Sequence, residues 1–304
     1  MKVLKQRETL TENMAFMGIV SAILIILNAL ISVGDMFFPI IGLILSLVLP
    51  ILVVLVEVSC KDRYYPIFFS VTILLSMITC LWNIQATFYY LIPSLISGYI
   101  FGLFIKKRFQ LVYGIFIASV IQAGLIYGFS RLVLVLFEVN SIETFLKILS
   151  LNDSVAAHII VPSAIFVLGL IEISFVTLVI SFEIKRFNLC FNDNVENELY
   201  INIVLMVISA LIVGLYFLNL TSAYIALMSL IFFTVFLFAN GIKNKEFLKI
   251  GIFGFEVIVG VLIFVLCNQY LTQNGGFLLI GIGPLLISLT NLIFNLLKKR
   301  PRST

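Results

Sequence analysis

Two residues that can bind ligands or transfer protons, His158 and Glu172, lie in one apolar stretch from Val155 to Ile184. At 100° per residue they fall on the same helical face, about 20 Å apart along the axis. An ionisable residue at membrane depth marks a ligand site or a proton pathway by default. No intramembrane lysine or arginine is available to pair with Glu172, so we expect it to be protonated at rest. It then either donates a hydrogen bond to a ligand or carries a coupling proton, and the alternative is a hydrogen-bonded packing residue.

A second set of candidate ligand-binding residues lies in the predicted outer turn, LWNIQATFYY. It combines aromatic rings with side-chain amides, at Trp82, Asn83, Gln85, Tyr89 and Tyr90. Aromatic residues at a membrane interface usually anchor a helix, whereas neighbouring amides can line an outward-facing pocket. Because His158 is also near the predicted outer end of its helix, a ligand entering from outside would meet it before Glu172. The sequence leaves the anchor and the pocket interpretations open.

The sequence argues against an enzyme and against a metal site. It contains no nucleotide-binding, dinucleotide-binding, zinc-protease or serine-hydrolase motif. One histidine cannot form a multi-histidine site, and every aspartate lies outside the apolar runs. We therefore expect no enzymatic activity, no metal and no cofactor. The four cysteines show no C-x-x-C spacing and are interpreted as packing residues: Cys60, Cys80, Cys190 and Cys267.

The composition predicts an all-α, polytopic integral membrane protein. Of its 304 residues, 62% are hydrophobic and only 11% are charged, which is far from the composition of a soluble domain. Ten apolar runs are each long enough to cross a bilayer. Their bounds are 14–33, 37–59, 64–83, 87–105, 110–129, 155–182, 200–219, 222–241, 250–270 and 276–297.

The basic residues predict how these runs are oriented. If all ten cross the membrane, every lysine and arginine except Arg131 and Lys147 falls on one side. Basic residues concentrate in cytoplasmic loops, so both termini are predicted to be cytoplasmic. The net charge of +4 then reflects topology, and we expect no nucleic acid partner. Glu57, at the end of the second run, is predicted to pair with Lys61 at the same interface.

The distribution of charge predicts two membrane domains. Residues 1–186 contain six spans, with an outer interfacial helix or lid at 130–154. The polar residues 187–199 form a cytoplasmic linker, and residues 200–304 contain the other four spans. The second domain carries Glu256, another glutamate at membrane depth, to which the sequence assigns no role.

Small residues on the first predicted span form a potential contact surface. Ala15, Gly18 and Ala22 fall on one helical face, and such a face allows close approach of another helix. The face either packs within this chain or contacts a partner subunit, and both interpretations stay open.

These features resemble a known family of membrane proteins. The segment MAFMGIVSA, the short outer turn with aromatic residues and Pro39, and the helix LIPSLISGYIFGLFIKKR resemble the substrate-capture (S) components of energy-coupling factor (ECF) vitamin transporters, over residues 9–110. The whole chain is more similar to the YybS-type bacterial membrane proteins, a family distantly related to those S components. Four further spans lie outside the six-helix plan of an S component.

The resemblance implies a location, partners and a ligand. It implies a multi-pass protein of the bacterial cell membrane that captures a vitamin or similar nutrient from the outer side. It also implies that Ala15, Gly18 and Ala22 contact a transmembrane coupling subunit, which an ATPase module would energise. The leading expectation is therefore small-molecule binding or transport, with a pocket under residues 130–154. The alternative is a scaffold or accessory subunit of a larger membrane complex.

Overall fold

The computed structural model describes residues 7–37, 39–138, 154–186, 198–267 and 276–299, and every regular element in these ranges is helical. The α-helices are α1 Leu10–Phe37, α2 Pro39–Ser46, α3 Leu49–Ser59, α4 Tyr65–Thr79, α5 Ile84–Ala86, α6 Ile92–Lys106, α7 Leu111–Phe137, α8 Ser154–Arg186, α9 Glu198–Leu218, α10 Leu220–Lys243, α11 Phe247–Cys267 and α12 Ile282–Lys299. Single turns with 3-10 geometry occupy Asp62–Tyr64 and Leu81–Asn83, a six-residue 3-10 helix occupies Gly276–Gly281, and Thr87–Leu91 is a π-helical turn.

In this part of the chain, eight helical stretches are long and apolar enough to cross a membrane. The prediction of an α-helical, multi-pass membrane protein is therefore confirmed. The second and third predicted spans correspond to shorter helices, of which α4, with 15 residues, is the longest. An α-helix of that length rises about 22 Å, less than the roughly 30 Å of a hydrocarbon core. The count of ten spans and the cytoplasmic side of both termini remain predictions.

Pro50 interrupts the second predicted span. Proline has no N–H to donate to the carbonyl four residues earlier, and its ring crowds that oxygen. The residue four before Pro50 is Ser46, where α2 ends, and the chain becomes helical again at Leu49. The apolar run 37–59 is therefore two helices.

Pro93 has a comparable effect on the fourth predicted span. It cannot donate to the carbonyl of Tyr89, and the turn that precedes it is wider than an α-helical turn. The Ile92 N–H there bonds the carbonyl of Thr87, five residues earlier. Within the continuous stretch Leu81–Lys106, α-helix longer than the single turn of α5 therefore begins at α6.

The chain divides into two compact units, which are described separately. Unit 1 consists of Met1–Ser150 and Ala164–Asn192, and unit 2 consists of Leu151–Ser163 and Asp193–Thr304. The division falls within α8 and places Glu172 in unit 1. Most of the predicted cytoplasmic linker lies outside the described residues.

The core of unit 1 fixes the position of α6. Apolar side chains of α1, α3 and α4 pack together with Leu95 of α6. The Tyr65 hydroxyl donates to the Leu95 carbonyl at 2.7 Å, and the Tyr65 ring stacks on Tyr99 with centroids 4.2 Å apart. The helix turn that contains Ser94 is thereby held in the interior, where residues 91–95 are all buried.

Residues 130–137 of the predicted interfacial segment 130–154 continue α7 without a break, and the interfacial position of the segment stays a prediction. The Ser130 hydroxyl donates to the Tyr127 carbonyl of the same helix at 2.6 Å. This polar side chain is therefore satisfied within the helix, which continues past it. The Arg131 side chain folds back on the Tyr127 ring. The helix ends at Glu138, whose φ of 58° is left-handed, and residues 139–153 lie outside the described residues.

The predicted pairing of Glu57 with Lys61 is wrong. Lys106 donates to the Glu57 carboxylate at 3.4 Å and also to Asp62, whereas the Lys61 ammonium group donates to a backbone carbonyl. The reason lies at Gly102, where an added Cβ would be 2.7 Å from the Glu57 Cβ. Because glycine allows α6 this close to α3, the end of α6 brings Lys106 to both acids. Despite partial burial, the hydrogen bond and charge of Lys106 hold the pKa of Asp62 below its usual value.

Two of the four cysteines confirm the packing interpretation. Cys60 and Cys80 are buried, free thiols. Burial raises the pKa of Cys60 to about 11, so little reactive thiolate exists there at neutral pH. Cys267 is partly exposed and Cys190 lies outside the described residues.

Labelling of single cysteines in a cysteine-free background tests the predicted orientation. We expect Lys107→Cys to react with a membrane-impermeant maleimide only in opened cells and Leu218→Cys to react in intact cells. Both native side chains are exposed, and Leu218 lies at the predicted outer end of the third span after Lys107. Reaction of both cysteines from the same side would contradict the predicted crossings.

Candidate functional site

Three helices of unit 1 bring polar side chains together at Glu172. Gln122 of α7 donates its amide N–H to Glu172 Oε2, and the Ser94 hydroxyl of α6 donates to Oε1 at 3.3 Å. All three side chains are buried; Glu172, in α8, is the most exposed at 7%. Two neutral donors therefore bind a buried carboxyl group. We call these three residues the Glu172 cluster.

Gly169 explains why α7 and α8 approach closely enough to form this cluster. An added Cβ at Gly169 would lie 3.2 Å from the Ser119 carbonyl oxygen, so the two backbones are nearly in contact. The Ser119 hydroxyl donates to the Gly169 carbonyl at 3.1 Å and to the Ile115 carbonyl at 2.7 Å. Gly169 and Glu172 are three residues apart, as are Ser119 and Gln122. The same contact, one helical turn further on, brings Gln122 to Glu172.

The Glu172 cluster contains an unused hydrogen-bond acceptor. The Gln122 carbonyl oxygen Oε1 is buried and has no partner among the described residues. Gln122 itself is 1% exposed, so that oxygen has also lost contact with bulk solvent. An unpartnered buried acceptor costs about 1–3 kcal/mol. The arrangement can therefore accept a hydrogen bond from a ligand or from a protonated carboxyl group.

The other predicted ligand-binding residues do not join this cluster in the described part of the chain. Asn83 Nδ2 donates to the Ser32 carbonyl at 3.2 Å, and the Tyr90 hydroxyl donates to Asp35 at 3.1 Å. Both are thus bonded to α1. Trp82 is 56% exposed, which fits an interface anchor better than a pocket wall.

The remaining three candidates have no described contact with Glu172. Gln85 and Tyr89 are partly buried in the same outer stretch as Trp82. His158 lies in α8, but its side chain is outside the described part of the structure. The predicted joint role of His158 and Glu172 therefore stays a prediction.

A second buried polar group, which the sequence analysis missed, surrounds Asn28 of α1. Its Nδ2 lies 2.6 Å from Ser76 Oγ, 2.9 Å from Thr87 Oγ1 and 3.4 Å from Cys80 Sγ. Its Oδ1 has no partner among the described residues, and the side chain is 0% exposed. One helical turn further on, Ser32 follows on the same face of α1. The spacing of Ser21, Asn28, Ser32 and Asp35, at intervals of seven, four and three residues, is the sequence signal that marks this polar face.

Unit 2 has its own buried polar contacts. Thr290 of α12 donates to Glu256 Oε1, and the other carboxyl oxygen has no partner among the described residues. Asn291 donates to the Asn202 side chain at 3.0 Å, and both residues are 0% exposed. The Ser288 hydroxyl donates to the Asn202 carbonyl at 3.4 Å. These contacts join α12 to α9 and α11 and have the form of interhelical hydrogen bonds.

The chain matches no protein-family model, no curated protein and no solved structure. The contacts of the described residues are therefore what supports a functional proposal.

The small-residue face of α1 is exposed. Ala15, Gly18 and Ala22 all lie on the surface, and a Cβ added at Gly18 would meet no atom within 4 Å. At Gly98 and Gly102, by contrast, an added Cβ would lie within 3 Å of α3. The interpretation that the α1 face packs inside this chain is therefore wrong for unit 1, and the partner interpretation stays a prediction.

Substitution at Gly18 should consequently leave the isolated protein intact. We expect Gly18→Leu to keep the thermal stability of the wild type, because the added side chain points away from unit 1. Gly102→Ala is the matched comparison and should lower stability, since its Cβ would overlap Glu57. Thermal unfolding in micelles measures both, and equal losses in the two variants would show that the α1 face packs internally. If a partner subunit binds this face, Gly18→Leu should also prevent its co-purification.

Proposed function

We propose that this protein binds a small molecule and transports it across the membrane, with the Glu172 cluster as the polar centre of its binding site. The observation that carries this proposal is the unpartnered Gln122 carbonyl oxygen beside a buried carboxyl group. A packing role for Glu172 alone would favour a cluster in which every polar atom is bonded. A free acceptor at this depth instead supports a site that a ligand or a proton completes.

The chemistry of the cluster indicates how a ligand would bind. A neutral Glu172 carries a proton, and the described contacts give its carboxyl oxygens only the neutral donors Gln122 and Ser94. A ligand with adjacent donor and acceptor groups, as in a lactam or a nitrogen heterocycle, could bond the Gln122 carbonyl and the Glu172 carboxyl together. Proton release from Glu172 would then weaken one of these bonds, which is the elementary requirement for coupling transport to a proton.

The resemblance to S components extends the proposal to partners and location. On that basis the protein acts in the bacterial cell membrane, takes a vitamin-like nutrient from the outer side and contacts a coupling subunit through α1. The exposed face at Ala15, Gly18 and Ala22 supports such a contact. Energisation by an ATPase module belongs to the same proposal.

The same exposed face also favours a second candidate, a scaffold or accessory subunit of a larger membrane complex. In this alternative the α1 face is the functional surface, and the Glu172 cluster only joins α6, α7 and α8. A transporter should carry a bound small molecule when it is isolated from native membranes, whereas a scaffold should carry bound protein partners.

Purification from native membranes tests the proposal. Extracts of the purified protein should contain a small polar molecule in near-stoichiometric amount, detected by mass spectrometry against a control membrane protein isolated in parallel. Recovery of stoichiometric protein partners with no bound small molecule would contradict the proposal and support the scaffold.

A further inference from the structure

The chain between α4 and α6 is built differently from the helix that follows it. It passes through a 3-10 turn at Leu81–Asn83, one α-helical turn at Ile84–Ala86 and the π-helical turn at Thr87–Leu91. We call residues 81–90 the outer segment. Changes of helix type of this kind within one span often mark functional hinges.

Burial changes abruptly at the π-helical turn. Within the outer segment only Ala86 and Thr87 are buried, and Leu81 and Trp82 are more than half exposed. Immediately after it, residues 91–95 are all buried. Few buried apolar contacts give a segment low local stability, whereas the turn containing Ser94 is held by the core of unit 1. The π-helical turn therefore separates a weakly packed segment from a firmly packed one.

Polar contacts with α1 replace the missing apolar burial. Asn28 reaches Thr87 at 2.9 Å, Ser32 exchanges bonds with Asn83, and Asp35 accepts from Tyr90 at 3.1 Å. These three contacts follow α1 towards the predicted outer surface. Hydrogen bonds break and form again at little net cost where water or a ligand can replace one partner.

Asn28 is the central contact, and its bonding is incomplete. Its NH₂ group has two hydrogens but lies within bonding distance of three acceptors, while its carbonyl oxygen is unpartnered among the described residues. Turning the amide over would leave the NH₂ group without a partner instead. Thr87, Ser76 and Cys80 thus compete for the two amide hydrogens of Asn28. This competition favours exchange between alternative hydrogen bonds.

We propose that the outer segment is a gate, hinged at the π-helical turn and latched to α1 by Asn28. When Asn28 releases Thr87, the outer segment moves away from α1 while α6 stays in place. Ser94 lies one helical turn beyond the hinge, so the gate opens next to the Glu172 cluster. Its role in admitting a ligand rests on the proposed function, whereas its opening does not.

Hydrogen exchange of the full-length protein in nanodiscs tests the gate without any ligand. In the wild type, backbone amides of the outer segment should exchange faster than those of residues 94–106. Asn28→Leu and the nearly isosteric Thr87→Val should each accelerate exchange in the outer segment about fivefold to tenfold, the effect of one lost hydrogen bond. Exchange in residues 94–106 should not change.

Ser21→Ala is the matched control, because it removes the 2.9 Å bond to Thr72 on the same face of α1 but away from the outer segment. It should leave exchange of the outer segment at the wild-type rate. Equal acceleration by Ser21→Ala, uniform acceleration through residue 106, or no acceleration by Thr87→Val would each overturn the proposal. Accelerated exchange in the two variants with no co-purified compound would support the gate and contradict the transport function. A co-purified compound without accelerated exchange would support the transport function and contradict the gate.

Discussion

Gly260→Ala should destabilise unit 2 by about 1–3 kcal/mol, the usual cost of forcing atoms into a filled space. The added Cβ would lie 2.7 Å from both the Cα and the N of Gly283. These are backbone atoms of the facing helix, so no side chain can rotate away to make room. The α11–α12 contact would have to open, and the Thr290–Glu256 bond that spans it would weaken.

Gly254→Ala is the matched control on the same helix. A Cβ at this position would meet no atom within 4 Å, and alanine favours a helix over glycine by about 1 kcal/mol. Its stability should therefore equal or slightly exceed that of the wild type. Thermal unfolding of both variants in the same detergent measures the difference, and equal midpoints would contradict the close crossing of α11 and α12.

Glu172→Ala should reduce ligand binding about tenfold to a hundredfold. This range corresponds to about 1.4–2.8 kcal/mol, the cost of leaving a buried hydrogen-bonding group of the ligand without its partner. Glu172→Gln should fold normally, because its carbonyl can accept from Gln122 and its NH₂ group can donate to Ser94. Binding and uptake by the two variants, measured in vesicles with the compound that co-purifies with the wild type, separate the roles of the residue.

The two variants distinguish a hydrogen bond from a proton carrier. Retained binding and uptake in Glu172→Gln indicate a hydrogen-bonding role, whereas retained binding without uptake indicates proton coupling. If both substitutions lower only thermal stability and leave binding and uptake unchanged, Glu172 is a packing residue and the proposed function fails.

The apolar runs predicted where the helices lie, because burial of backbone polar groups in a membrane leaves few alternatives to a helix. They predicted the ends of helices less well. Pro50 divides one run because it acts on the carbonyl four residues earlier, which hydrophobicity does not register. The charged residue Arg131 does not end its helix, and its side chain folds onto the ring of Tyr127.

The candidate site was predicted in part. The cost of a carboxyl group at membrane depth singles out Glu172, and the helical period gives the face on which it lies. The sequence does not show which faces of α6 and α7 meet it, so Ser94 and Gln122 were not assigned to the site. Asn28 was missed because one asparagine in an apolar run is unremarkable until its partners at Ser76 and Thr87 are known. Such pairings depend on tertiary contacts between residues about 50 positions apart.

The amount of compound bound to purified Glu172→Ala, relative to wild type, tests the central claim most directly. Ser181→Ala is the control, since this partly exposed residue of the same helix donates its hydroxyl to the Leu178 carbonyl within that helix. The proposed site predicts near-stoichiometric compound in wild type and Ser181→Ala, and at least tenfold less in Glu172→Ala isolated as a folded monomer. Equal amounts of compound in all three proteins would contradict the assignment of Glu172 to the binding site.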